Sequence, residues 1–193
     1  LSDALPRPEA RRGLAIAAIY VVAQKTAIGM IGPFFVDAGY TLTDLGLVNG
    51  AGSLGLGLLG ALFGGALVRK LGSRPVLAGA VVIQAALLAL VALSAATGIV
   101  ETRLTAPLAI AGSAAMMALG FVALYALFMK WSDPRQAGVD FTLFQCMDAA
   151  VSMVAGTLAG IVAERFGYGI FFAIAAAIAV AALPVILRLS RAT

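Results

Sequence analysis

The sequence predicts an all-α membrane protein in which six transmembrane helices form one bundle. Three observations support this class. The chain is 62% hydrophobic and 11% charged, whereas soluble domains carry about 25% charged residues. Its apolar runs are long enough to cross about 30 Å of hydrocarbon, which takes about 20 helical residues. These runs also lack the alternating pattern and the length of about 10 residues that are typical of membrane β-strands.

The predicted spans follow the chain in order. They cover residues 14–36, 45–68, 76–97, 104–129, 139–163 and 170–190. Turn or helix-capping residues stand in four of the connections, at 37–41, 71–75, 132–134 and 166–169. Residues 1–13 contain two prolines and three arginines, and we expect a cytoplasmic loop or linker there. The bundle is therefore predicted to occupy residues 14–193.

The cationic residues alternate between the two membrane faces. The two chain termini and the connections predicted on the same face carry ten of the 13 Lys and Arg residues: Arg7, Arg11, Arg12, Arg69, Lys70, Arg74, Lys130, Arg135, Arg188 and Arg191. The opposite connections carry only Arg103 and Arg165. Because short loops rich in Lys and Arg stay cytoplasmic, both ends of the chain are predicted to be cytoplasmic. The basic balance thus indicates topology and contact with the lipid bilayer, and no nucleic-acid partner is expected.

The composition excludes several kinds of chemistry. The absence of His excludes a Ser-His-Asp triad and His-ligated zinc or haem. A single Cys excludes a CxxC pair and an iron–sulfur cluster within the chain. Asp140 and Asp148 lie on one predicted helix and point about 80° apart, so they are not paired carboxylates on facing helices. We therefore expect no metal, no cofactor and no enzyme activity.

Lys25 is the most informative polar residue inside a span. It lies about 17 Å into the first predicted helix, near the middle of the bilayer, where a cation costs about 2.5–3.5 kcal/mol. A cation at that depth is expected to face a cavity or a counter-charge, and Gln24 and Thr26 flank it. A functional role and a purely structural ion pair are both compatible with this position.

Asp148 is the predicted partner of Lys25, because it lies at a similar depth in the fifth span. Gln145, Asp148 and Ser152 are spaced i, i+3 and i+7 and share one helix face. A carboxylate near an ammonium at membrane depth suits a proton-binding site. The alternative is a neutralised pair that only orients two helices.

Small residues recur at helix-packing spacing. Gly60 and Gly64 form one Gly-xxx-Gly pair, and Gly156 and Gly160 form another, so both are predicted to pack against neighbouring helices. Asn49 and Ser53 share a face at i and i+4. That pair is predicted either to line a path or to bond across helices.

Two similar segments lie 95 residues apart. Gly65–Gly72 and Gly160–Gly167 both read Gly, three residues, two charges, one apolar residue and Gly, yet the first is predicted inside and the second outside. A 3+3 inverted repeat, relating spans one to three to spans four to six, would give this pattern. Chance is the alternative in so Gly-rich a chain.

The loop between the second and third spans resembles the characteristic loop motif of the major facilitator superfamily, with Arg69 in place of its acidic residue. Its predicted conformational residues are Gly65, Arg69, Lys70, Gly72 and Arg74. Tyr20, the segments 35–39 and 45–49, and the Gly-rich second span resemble the AmpG-like permeases, which import muropeptides. The stretch 129–145 is similar to bacterial siderophore permeases of the rhizobactin and pyochelin type.

This resemblance implies a secondary active transporter of the bacterial inner membrane. The chain would be the carboxyl-terminal half of a twelve-helix fold, completed by an amino-terminal half, and would work by alternating access as a proton-coupled importer of a siderophore-like or muropeptide-like solute. The predicted substrate or proton pathway comprises Lys25, Asp148, Gln145, Gln24, Tyr20, Asn49 and Ser152. The alternatives are an intact six-span protein and a channel or scaffold subunit without transport chemistry.

Overall fold

The computed structural model describes residues 8–97, 102–132 and 137–189. Within these ranges the chain forms helices and no strand. The elements are α1 (Pro8–Asp37), α2 (Leu42–Leu47), a π-helical segment (Val48–Ser53), α3 (Leu54–Leu71), α4 (Ser73–Thr97), α5 (Thr102–Trp131) and α6 (Ala137–Leu189). The all-helical class predicted from the sequence is confirmed.

Five helical stretches of the described chain are long and apolar enough to cross a membrane. They are Arg11–Asp37, Leu42–Leu71, Ser73–Thr97, Pro107–Trp131 and Gly138–Leu189. The first three contain the first three predicted spans. The fourth stretch begins at Pro107, inside the predicted span 104–129, although its helix α5 already begins at Thr102. The last stretch covers the predicted fifth span and the predicted sixth span as far as Leu189. Residues 1–7 of the predicted linker lie outside the described residues. Residues 8–13 are helical, since α1 begins at Pro8, a residue that suits a first helical turn because it lacks an N–H group.

The second predicted span is a continuous rod made of α2, the π-helical segment and α3. It is longer than predicted at both ends because its caps lie farther out. At the start, the Thr41 hydroxyl accepts a hydrogen bond from the Asp44 backbone N–H at 3.1 Å in a capping box. At the end, Gly72 has a φ of 86° and donates its N–H to the Val68 carbonyl at 2.9 Å.

Gly167 interrupts α6 with a non-helical conformation, φ 78° and ψ 162°. We call residues 137–166 its first arm and residues 168–189 its second arm. Lys25 of α1 contacts Asp148 of the first arm, and Phe34 of α1 contacts Phe172 of the second arm with ring centroids 5.6 Å apart. Lys25 and Phe34 are only about 14 Å apart along α1, whereas an unbroken α6 would separate Asp148 from Phe172 by about 36 Å. The chain therefore reverses direction at Gly167.

Replacing Gly167 with alanine is expected to destabilise the protein by roughly 1–3 kcal/mol, because its φ of 78° and ψ of 162° lie in a region that essentially only glycine adopts without strain. The measurement is the melting temperature in detergent. Gly79→Ala is the matched control, since Gly79 is helical and a Cβ there meets nothing within 4 Å. Equal melting temperatures for the two variants would contradict the assignment of a strained reversal at Gly167.

Helix α1 lies between the two arms of α6. It runs parallel to the first arm and antiparallel to the second, so both arms cover it. Ile16, Tyr20 and Phe35 are fully buried along its length. Pro33 stands inside α1, and because proline has no N–H group it cannot donate to the carbonyl of Gly29.

Glycines bring α3 close to α5. A Cβ atom at Gly60 would collide with the backbone carbonyl of Ala115, and one at Gly64 would lie 3.0 Å from the Cα of Leu119. The packing role predicted for this Gly-xxx-Gly pair is therefore confirmed. Gly156 and Gly160 differ, since a Cβ at either position meets nothing within 4 Å in the described chain. Their packing role is not found within this bundle.

Candidate functional site

The centre of the site is an ion pair between α1 and the first arm of α6. The Lys25 ammonium lies 2.8 Å from Asp148 Oδ1 and 2.9 Å from Oδ2, although 123 positions separate the two residues in the chain. Lys25 stands in the middle of the candidate span Arg11–Asp37. The two side chains are 28% and 16% exposed. The pair thus lies centrally in its helices, uses both carboxylate oxygens and is partly accessible.

An aromatic side chain of α5 provides a third contact for Lys25. The ammonium lies 5.1 Å from the centroid of the Phe121 ring, within the range of a cation–π interaction. Phe121 in turn contacts Tyr20 in an edge-to-face arrangement at 6.0 Å. The sequence did not single out Phe121, because one phenylalanine in an apolar helix carries no sign of which neighbour it faces.

Tyr20 and Gln24 lie behind the ion pair and are fully buried. The Gln24 Nε2 donates to the Tyr20 hydroxyl at 3.1 Å, whereas Gln24 Oε1 has no partner. The Tyr20 hydroxyl packs directly against Gly120, whose missing side chain makes the room. Both residues were predicted to line the substrate or proton pathway. In this conformation they are buried behind Lys25, and neither is accessible from a pathway.

Gln145 and Ser152 lie on the same arm as Asp148, and both are half-buried. The Ser152 hydroxyl oxygen is buried and has no hydrogen-bond partner. Most other hydroxyl side chains with a described bond in these helices donate to a carbonyl four residues earlier, as Thr157 does at 3.0 Å. Ser152 therefore lies one helical turn from Asp148, and its hydroxyl group makes no hydrogen bond within the described chain.

Asn49 and Ser53 lie on the π-helical segment. The Ser53 hydroxyl donates to Asn49 Oδ1 at 3.4 Å, and both residues line a cavity of about 330 Å³ between α1, this segment and α5. Ser113 of α5 lines the same cavity. The sequence predicted that Asn49 and Ser53 share a helix face. The structure shows that α5 lies across the cavity from them.

Gln84 and Ser113 form a buried polar pair that sequence reasoning missed. Gln84 Nε2 donates to the Ser113 hydroxyl at 3.1 Å, and both side chains are almost fully buried. Nothing in the sequence indicated that these two side chains, 29 positions apart, would meet. The sequence offered one indication of a buried polar contact, the single Gln84 within an apolar run.

A larger cavity lies elsewhere. It measures about 500 Å³, lies between α1 and both arms of α6, and has an almost wholly apolar lining. Its one hydroxyl belongs to Thr26, which already donates to the Val22 carbonyl at 2.6 Å. Nothing in this cavity can orient a polar solute, so it is not the candidate site.

The predicted conformational loop lies at the junction of α3 and α4. Arg69 and Lys70 occupy the last turn of α3 and are exposed, and Gly72 is the only residue between the two helices. Arg74 reaches the second arm of α6, where its guanidinium donates to the Leu187 carbonyl at 3.4 Å. Gly65 is exposed, and a Cβ there meets nothing within 4 Å. The loop thus connects α4 to α6 through Arg74.

The arrangement is a bundle of apolar helices around a partly exposed charge pair at mid-depth. A family model for the Major Facilitator Superfamily matches residues 14–193 of this chain. The chain belongs to the major facilitator superfamily. Superfamily members are secondary transporters rather than enzymes, so this protein is a membrane transporter of small solutes. The match also covers all the predicted site residues, from Tyr20 to Ser152.

Proposed function

We propose that the protein is a proton-coupled importer of a siderophore-like or muropeptide-like solute in the bacterial inner membrane. The single observation that carries this proposal is the Lys25–Asp148 ion pair, central in its helices and partly exposed. The partial exposure leaves both groups within reach of a solute or a proton.

The proposed mechanism gives Lys25 two alternative partners. An anionic group of the solute contacts the ammonium and displaces the Asp148 carboxylate. A carboxylate without its counter-charge at membrane depth is unfavourable, and a proton taken up from outside removes the charge. Release of solute and proton to the cytoplasm restores the pair. Solute and proton therefore move in the same direction.

We further propose that the chain crosses the membrane six times, with both ends cytoplasmic. The reversal at Gly167 supports this number, since each arm of α6 is long enough for a crossing of about 20 residues. The 3+3 inverted repeat remains a prediction supported by the matching Gly segments.

A partner half of six further helices is part of the proposal. The outward faces of α3 and of the first arm of α6 are apolar and carry Leu58, Leu62, Phe63, Val154 and Leu158 in exposed positions. Gly156 and Gly160 lie on the same first arm, where they leave room for close approach of another helix. We expect the amino-terminal half of the transporter to contact these faces.

The experiment is uptake by proteoliposomes that contain the complete protein and a pH-sensitive dye. The probes are a ferric hydroxamate siderophore that bears a free carboxylate and a muropeptide. We expect one probe to accumulate and to acidify the lumen while it does so, and a protonophore to abolish the accumulation. Accumulation without acidification would contradict proton coupling. No uptake of either probe would favour a channel or scaffold subunit.

A further inference from the structure

We infer that the cavity between α1, the π-helical segment and α5 is a second solute-binding subsite, which takes an acceptor oxygen of a carbonyl or carboxylate group. The inference rests on the proposed transport function and deepens it. The cavity measures about 330 Å³ and carries three polar side chains, Asn49, Ser53 and Ser113, whereas the two cavities that α1 forms with α6 in the described chain have almost wholly apolar linings.

The hydroxyl of Ser113 is set to donate into this cavity. Its oxygen already accepts a hydrogen bond from Gln84 Nε2 at 3.1 Å, and Gln84 is fully buried behind it. Thr26, Thr142 and Thr157 each donate to a carbonyl four residues earlier, but Ser113 makes no such bond in the described structure. Its O–H hydrogen is therefore left for a group in the cavity.

Asn49 contributes a second set of donors. Its Oδ1 accepts from the Ser53 hydroxyl at 3.4 Å, so the two N–H groups of Nδ2 take no part in that bond. The Nδ2 atom has no hydrogen-bond partner among the described residues. The N–H groups of Asn49 and the O–H group of Ser113 are therefore available as hydrogen-bond donors in this cavity, and such donors bind acceptor oxygens.

The π-helical turn and two glycines shape the opposite walls. π-helical turns occur often at functional sites, and here the turn carries both Asn49 and Ser53. On α1, Gly29 and Gly32 line the cavity, and a Cβ at either position meets nothing within 4 Å. The space beside α1 is thus wide enough to take more than a methyl group at either glycine.

The subsite is in line with the ion pair. Lys25, Gly29 and Gly32 are spaced i, i+4 and i+7, so they follow one face of α1. The glycines lie about 6 and 10 Å beyond Lys25 along the helix axis. The geometry favours an elongated anionic solute whose carbonyl or carboxylate oxygen lies roughly 6–10 Å from the anionic group that contacts Lys25.

Two variants of the complete transporter test this subsite. Asn49→Asp keeps the shape of the side chain but replaces its donors by a negative charge, and Gly29→Ala fills part of the cavity without a clash. We expect each to raise the KM for the imported probe about tenfold or more, with a smaller change in kcat, because Asn49→Asp removes hydrogen-bond donors to the solute and Gly29→Ala occupies part of the space that the solute needs. The probes are the same ferric hydroxamate siderophore and muropeptide.

The controls are Thr157→Val and Gly79→Ala, an exposed polar position and an open helical glycine outside the cavity. Both should leave KM unchanged. If the wild type imports a probe while Asn49→Asp and Gly29→Ala keep its KM, the subsite is wrong and the transport function stands. If the wild type imports neither probe, the proposed function fails and the subsite fails with it.

Discussion

Replacing Lys25 with methionine is expected to abolish proton-coupled uptake and to destabilise the protein. Methionine keeps the unbranched stem but removes the charge that neutralises Asp148 at 2.8 Å. Removing one partner of a buried pair costs about 3–5 kcal/mol. Because the side chains are 28% and 16% exposed, we expect a smaller loss, about 1–3 kcal/mol. Uptake in proteoliposomes and melting temperature in detergent measure the two effects.

The double variant Lys25→Met with Asp148→Leu separates a transport role from a structural one. Replacing both charges by apolar side chains removes the isolated charge, so the melting temperature should recover. If the pair takes part in transport, uptake stays lost in this stable protein. A double variant that recovers both stability and uptake would show that the pair only holds two helices together. Lys130→Met, at an exposed cation, is the control and should change neither quantity.

Replacing Gly60 with leucine is expected to be the most damaging change to the fold. The added Cβ meets the carbonyl of Ala115, a backbone atom that cannot rotate away. Forcing atoms into a packed contact costs typically about 1–3 kcal/mol, and the bulk of leucine places this variant at the upper end. The effect should be large because α3 packs mainly on α5 and has few other contacts. The measurements are inserted yield and melting temperature.

Gly65→Leu is the matched control for Gly60→Leu. Both glycines lie in α3, but a Cβ at Gly65 meets nothing within 4 Å. We expect Gly65→Leu to insert normally and to melt near the wild-type temperature. Similar melting temperatures for the two leucine variants would refute the close contact between α3 and α5.

The sequence was most informative where a charge stood in an apolar run. Lys25 and Asp148 could be assigned similar depths by counting residues, and the structure brings them into contact. Depth along a helix follows from a rise of about 1.5 Å per residue, so it needs no knowledge of the neighbours. The same counting located most of the helices, with errors at the caps Thr41 and Gly72.

The neighbours of each side chain could not be predicted in the same way. In a helix that is apolar all round, periodicity does not reveal which face turns inward. Gly60 and Gly156 begin the same Gly-xxx-Gly spacing, yet only the first meets another helix in this bundle. The contact of Phe121 with Lys25 and the bond between Gln84 and Ser113 depend on helix rotation, which tertiary packing decides.

Pro33 gives α1 a weak point beside the proposed subsite. The backbone there lacks one helical hydrogen bond, and Gly29 and Gly32 contribute no side chains to stiffen it. On either side α1 is held firmly, by Asp148 at Lys25 and by Phe172 at Phe34. Helix α1 is therefore expected to bend most easily at Pro33, between these two contacts. A bend in α1 at this point would change the width of the cavity that Gly29 and Gly32 line.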